Sequence, residues 1–162
     1  MHYWTLLQLL GLVTLANGTP VVAKRIFGAR FARPLDGNCK FIDGRPLFGT
    51  SKTVRGLLLS VVATSVCAPL VGLGITIGFV VAVSAMAGDL LSSFVKRRLA
   101  LAPSSQAIGL DQIPESLLPL LACRHELGLT AADIAMGVAL FFVGELALSR
   151  VLFRLRFRDR PY

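Results

Sequence analysis

Cysteine is scarce in this chain: Cys39, Cys67 and Cys123 stand far apart and are odd in number. With no paired spacing among them, a thiolate metal cluster is excluded, and they read as structural or incidental residues. Histidine is scarcer still, with only His2 and His125, both read as surface residues. No HExxH, no GxSxG and no paired Cys–His arrangement occurs, which removes the zinc-peptidase and serine-hydrolase classes. Charge is sparse, at 16% of residues, and acids are the rarer sign, 9 against 17 Lys and Arg. No nucleic-acid motif and no basic stripe interleaved with stacking aromatics accompanies those bases, so nucleic acid is not an expected partner. No internal repeat is visible.

Apolar residues are abundant instead: 54% of 162 residues, with mean hydropathy +0.70. That is too apolar for an ordinary soluble domain and points to a membrane protein. The expected fold is all-α, a polytopic membrane bundle of about five transmembrane helices forming one domain over residues 1–162. The formal net charge of +8 then marks cytoplasmic loops and phosphate sites before anything else.

Residues 3–22 make the first apolar segment, about the ~20 residues a span requires. No Lys or Arg precedes it and no small-x-small site follows it, so a retained helix is expected rather than a signal peptide. Asn17, Gly18, Thr19 and Pro20 fall in its last third, where Gly and Pro are expected to loosen the helix. A basic loop follows over 23–55, holding eight Lys or Arg against Asp36 and Asp43. Its Gly, Pro and Asn disfavour long regular elements, while Phe27, Phe31, Phe41 and Phe48 argue against disorder. Further apolar runs cover 56–73, 70–91 and 131–153. The run 113–122 is short and carries Pro114 and Pro119, so it is either a broken or tilted span or a re-entrant segment. With five crossings, 16 of the 17 Lys and Arg fall on one side and only Arg124 opposite. That places the N-terminus outside and the C-terminus in the cytoplasm of a cell-membrane protein.

The stretch 88–98 follows an almost uninterrupted apolar run and packs one acid, two hydroxyls and three cations into three helical turns. At about 3.6 residues per turn, Asp89, Ser93 and Lys96 share a face, flanked by Ser92 and Arg97, with Arg98 directed elsewhere. An ionisable acid at a membrane edge is a functional-site hypothesis. Three stretches at the cytoplasmic edge are expected to converge: 43–55, 89–98 and the pair Asp111–Gln112. Carboxylates suit Mg²⁺, which shares its oxygen ligands with substrate phosphates. Lys and Arg suit the phosphates themselves. Gly49 before Lys52 and Thr53 lacks the Walker spacing, so no phosphate loop of that kind is inferred. The combination reads as a nucleotide-phosphate and metal site against a lipid bilayer.

The segments FIDGRPLFGTSKTVRG, AGDLLSSFVKRR and DQ together resemble the CDP-archaeol synthase family, and more distantly the phosphatidate cytidylyltransferases. Asn17 with Pro20, the Arg33-Pro34-Leu35-Asp36 segment and the closing Arg158 to Tyr162 extend the likeness. The resemblance implies a five-helix membrane enzyme that transfers CMP from CTP to a lipid phosphate, releases pyrophosphate and uses Mg²⁺. For archaeal members the lipid is digeranylgeranylglyceryl phosphate. It implies Asp89 and Asp111 as metal ligands, with Asp43 binding metal or orienting Lys52. Lys52, Arg55, Lys96 and Arg97 would hold the triphosphate and the lipid phosphate. Asn17, Thr53, Ser93, Arg98 and Gln112 are further polar contacts, and Asp89, Lys52 and Lys96 carry the catalytic expectation. The chain departs from the pattern at Pro114, where the family has a second acid; Glu115 stands one residue on. Alternative readings are a CDP-diacylglycerol synthase acting on phosphatidic acid, or a non-catalytic protein that grips anionic headgroups or transports them. Oligomeric state, including a homo-oligomer, stays open.

Overall fold

The structure is a computed structural model that describes residues 2–102, 105 and 107–154; the expected basic tail at Arg156, Arg158 and Arg160 lies outside them. Five helices follow in order: α1 (Tyr3–Phe27), α2 (Val54–Cys67), α3 (Ile75–Arg98), α4 (Gln112–Ala122) and α5 (Ala131–Arg154). A short 3₁₀ turn, Ala68–Val71, extends α2. Four of these are long and apolar enough to cross a membrane: Tyr3–Phe27, Val54–Val71, Ile75–Arg98 and Ala131–Val151. The protein is an all-helical membrane bundle.

α1 corrects one expectation. The helix does not loosen at Gly18 and Pro20 but runs unbroken to Phe27, so the irregular loop begins at Gly28 rather than at residue 23. Pro20 has no N–H and leaves the carbonyl of Ala16 without its helical donor. Ser60 of α2 supplies the missing donor, with Oγ at 2.7 Å from Ala16 O in a buried setting. Gly56 allows the two helices to meet there, since a Cβ on it would stand 3.1 Å from Pro20 Cβ.

α4 forms over the run 113–122 as a short helix. Its 11 residues rise only about 17 Å, short of the ~30 Å hydrocarbon core. It nevertheless links the two ends of the bundle. Ser92, near the basic end of α3, donates to Leu110 O at 2.7 Å just before α4 begins. Beyond α4, Asp133 accepts from the backbone N–H of His2 at 3.3 Å, which puts the start of α5 beside the start of α1. The turns over 108–111 and 123–128 flank it on either side. The chain therefore passes between the ends five times. Thr130 and Asp133 close the N-terminus of α5 as a reciprocal cap: Asp133 Oδ2 accepts from Thr130 N at 3.0 Å, and Thr130 Oγ1 accepts from Asp133 N at 3.2 Å.

The core gathers Leu6, Leu9, Leu12, Val13 and Ala16 of α1 against Val81, Ala85 and Met86 of α3, Leu120 of α4 and Phe141 of α5. Small residues set the closest approaches. A Cβ on Gly88 would lie 2.3 Å from Pro114 O and 2.8 Å from Glu115 Cα, so α3 and α4 touch backbone to backbone. Gly78 meets the end of α2 in the same way, with Ala68 Cβ at 2.5 Å, whereas Gly74 faces open space.

Candidate functional site at the basic end

The basic loop between α1 and α2 has little regular structure, only two isolated bridges, Pro34 with Thr53 and Lys40 with Pro46. Asp36 organises it. Its Oδ2 accepts from Phe48 N and Gly49 N, both at 3.0 Å, and its Oδ1 from Asn38 N at 3.0 Å. Burial raises the affinity of this carboxyl for its proton, but the three N–H groups outweigh that and hold its pKa below the ordinary Asp value. Gly49 adopts φ 89°, a left-handed turn that a side chain would strain. From this turn Leu35 N bonds Lys52 O at 2.8 Å and Val54 N bonds Arg33 O at 3.1 Å, fixing the segment that carries Lys52. Thr53 then caps α2, its hydroxyl accepting from Gly56 N at 3.1 Å.

Lys52 points into a cleft between α1, α2 and α3, lined by Pro20, Leu35, Ser51, Thr53, Gly56, Leu57, Met86, Asp89 and Leu90. Its ammonium meets both carboxylate oxygens of Asp89 at 2.5 Å. Glu115, buried on the first turn of α4, lies within electrostatic range of Asp89. Glu115 Oε2 accepts from Asn17 Nδ2 of α1 at 2.8 Å. Four chain segments thus meet at Asp89.

The other expected residues form two neighbouring groups. In the first, Lys96 pairs with Asp111 at 2.6 Å and donates to Ser105 O at 3.1 Å. Asp111 also accepts from Ala107 N at 2.9 Å, and Gln112 Oε1 from Gly109 N at 2.8 Å. Arg97 joins this group through Ala102 O at 2.9 Å, and its Nε and Nη1 are buried without a hydrogen-bond partner. Ser93 is buried on α3 between Asp89 and Arg97. The second group fastens the loop. Arg98 pairs with Asp43 at 2.8 Å, donates to Pro46 O at 2.5 Å and lies over the rings of Phe41 and Phe94, 4.8 Å from each centroid. Arg45 returns a hydrogen bond to Arg98 O. Arg55 closes the end of α1, bonding the carbonyls of Gly28 and Arg30 with its guanidinium over Phe27.

Asp43, Asp89 and Asp111 do not form one metal set: among the described residues no three Asp, Glu, His or Cys stand together in that way. Each answers a different cation, Arg98, Lys52 and Lys96 respectively. Two site residues escaped the sequence reading. Asp36 drew notice only as part of a segment, and Glu115 was one position from the expected acid, with no signal for which way it faces. All three cysteines are free thiols, and Cys123 is buried.

Comparison with known proteins bears on the whole length. The family model of CarS-like CDP-archaeol synthase matches residues 6–162. The CDP-archaeol synthase of Sulfurisphaera tokodaii is 33% identical over 153 residues, covering 91% of this chain and 89% of that protein. That of Pyrobaculum calidifontis is 34% identical over 152 residues, covering 91% and 90%. A solved structure, described as an intramembrane enzyme for archaeal membrane lipid biosynthesis, superposes with a TM-score of 0.68 at 31% identity, covering 85% of this chain and 90% of that one. By sequence over nearly its full length and by fold, the chain belongs to the CDP-archaeol synthase family.

Proposed function

We propose that the protein transfers the cytidylyl group of CTP to the phosphate of a diether lipid, digeranylgeranylglyceryl phosphate or a close relative, with release of pyrophosphate. The observation that carries this reading is the Lys52–Asp89 pair in a cleft between helices, within a chain whose full-length relatives are CDP-archaeol synthases. In the reaction an oxygen of the lipid phosphate forms a bond to the α-phosphorus of CTP as the bond to the bridging oxygen of the β-phosphate breaks. No covalent enzyme intermediate is needed, so positioning and charge neutralisation carry the catalysis.

The chain supplies both. Lys52 rests on Asp89 at the cleft, where an incoming phosphate competes for its ammonium and frees the carboxylate. Arg97, only 4% exposed, offers two guanidinium nitrogens with no protein partner, an arrangement suited to a phosphate oxygen. Lys96, two helical turns beyond Asp89, adds a second cation on that path. The apolar lining of Pro20, Leu57, Met86 and Leu90 suits the glycerol end of a lipid that enters from the bilayer. Arg98, Asp43 and Arg55 act differently, holding the loop that presents Lys52.

Mg²⁺ fits this site. It takes one or two carboxylates and completes its shell with phosphate and water oxygens. Asp89 is such a carboxylate, and the amide oxygen Oδ1 of Asn17, one hydrogen bond removed through Glu115, is buried without a partner. When bound with CTP, the ion neutralises the triphosphate and stabilises the departing pyrophosphate. The bases clustered at the site's end of the bundle support a cytoplasmic location, where CTP is found.

The test is pyrophosphate release by the purified protein with CTP and Mg²⁺, comparing diether phosphate with phosphatidic acid. Preference for the diether substrate is expected. Preference for phosphatidic acid would make the protein a CDP-diacylglycerol synthase, and no release with either would favour headgroup binding or transport.

A further inference from the structure

Glu115 is a buried acid to which the sequence reading assigns no role. It is 8% exposed, yet it faces a second carboxyl, that of Asp89, within electrostatic range. The approach is built in. Gly88 has no side chain where Pro114 O and Glu115 Cα press against α3, so α4 lies close enough for Glu115 to reach the residue after Gly88. Asn17 then fixes the orientation from α1, with Nδ2 at 2.8 Å from Oε2.

The charges at this junction do not balance. Ionised, Asp89 and Glu115 would bring two negative charges against the one positive charge of Lys52. Carboxyl groups so placed need a proton or a cation between them. Beside them Asn17 Oδ1, an oxygen of the kind hard cations accept, is buried without a donor. Asp111, by contrast, has one oxygen on Lys96 and the other on Ala107 N.

We infer that Glu115 is the second carboxylate of the divalent-cation site, paired with Asp89 across the contact between α3 and α4 and oriented by Asn17. This rests on the cytidylyltransferase reading and deepens it by naming the residue that replaces the acid absent at Pro114. The shift by one position works because the facing of α4 is set by its contact with Gly88. Glu115 holds the ion, whose remaining ligands come from Asn17 Oδ1, phosphate and water.

The test uses Mn²⁺ as the probe, its free concentration read by electron paramagnetic resonance against purified protein in detergent, with and without CTP. Glu115→Gln preserves shape and removes charge. It is expected to weaken Mn²⁺ binding ten-fold or more and to abolish the rise in melting temperature that Mn²⁺ gives the wild type. Glu115→Asp keeps the charge on a shorter arm and should bind Mn²⁺ with intermediate affinity; it carries the test if the Gln variant does not fold. Mn²⁺ affinity within two-fold of wild type in whichever variant folds would overturn the inference. The wild type separates the two failures: if it releases pyrophosphate while the variant binds Mn²⁺ normally, only the role of Glu115 is lost. If the wild type neither binds Mn²⁺ nor releases pyrophosphate with either lipid, the enzyme reading falls and this inference with it.

Discussion

Lys52 meets both oxygens of Asp89 at 2.5 Å in a half-buried cleft, and this symmetry is informative at the scale of the single residue. An ammonium centred on a carboxylate occupies the position a metal cation would take, so the two cations compete for one acid. Removing the acid should therefore harm catalysis more than folding. Asp89→Asn is expected to lower kcat/KM for CTP by roughly a hundred-fold or more, the scale of a lost electrostatic contact in the transition state. Pyrophosphate release at saturating lipid phosphate measures it, and turnover near the wild-type value would remove Asp89 from the site. Both partners were legible in the sequence, because an acid at the end of an apolar run and a lysine in a glycine-rich loop are unusual residues in unusual places. Glu115 was not. Whether residue 115 faces α3 depends on the rotation of α4, which is set by Gly88, 27 positions away.

At the scale of the element, two contacts decide whether the site is presented at all. The first is the bond from Ser60 to Ala16 O, which repairs α1 where Pro20 interrupts its ladder. Ser60→Ala leaves a buried carbonyl without a donor, at a cost of about 1–3 kcal/mol. Thermal unfolding in detergent should show the loss, accompanied by a weakened cleft, since Pro20 lines it. The second is Asp36, which ties Phe48 and Gly49 into the turn before Lys52. Its folded-state pKa lies below the ordinary Asp value. A group of this kind contributes stability that is fully present above its unfolded pKa and is lost as pH falls through the folded one. The protection of the Phe48 and Gly49 amides from hydrogen exchange, relative to their intrinsic rate at each pH, should therefore fall as the pH drops below about 4. Asp36→Asn should exchange faster at neutral pH and lose that dependence. Neither contact was legible: apolar runs announce that a helix exists, but not which distant hydroxyl or carboxylate completes its backbone bonding. Gly18 and Pro20 pointed to a loosened helix because the residue that prevents it lies 40 positions beyond Pro20.

At the scale of the whole molecule, the path of the chain and the place of the reaction are one question. The starts of α1 and α5 are joined by the bond from His2 to Asp133, and the basic loop meets the end of α3 through Asp43 and Arg98. Those two contacts fix which loops share an end, and they put Cys39 at the end that holds Lys52 and Asp89, with His125 at the other. Charge orients the pair of ends: among the described residues bases crowd the first and Arg124 alone marks the second, which supports the proposal that the first faces the cytoplasm. In a chain carrying Cys67→Ala and Cys123→Ala, the exposed Cys39 should react with a membrane-impermeant maleimide only after cells are opened. A companion that also carries Cys39→Ala and His125→Cys should react in intact cells. The reverse pattern would leave the five-helix path intact but turn Asp89 toward a compartment without CTP. The cleft would then need another donor of phosphate chemistry, and the cytidylyltransferase reading would no longer follow from it.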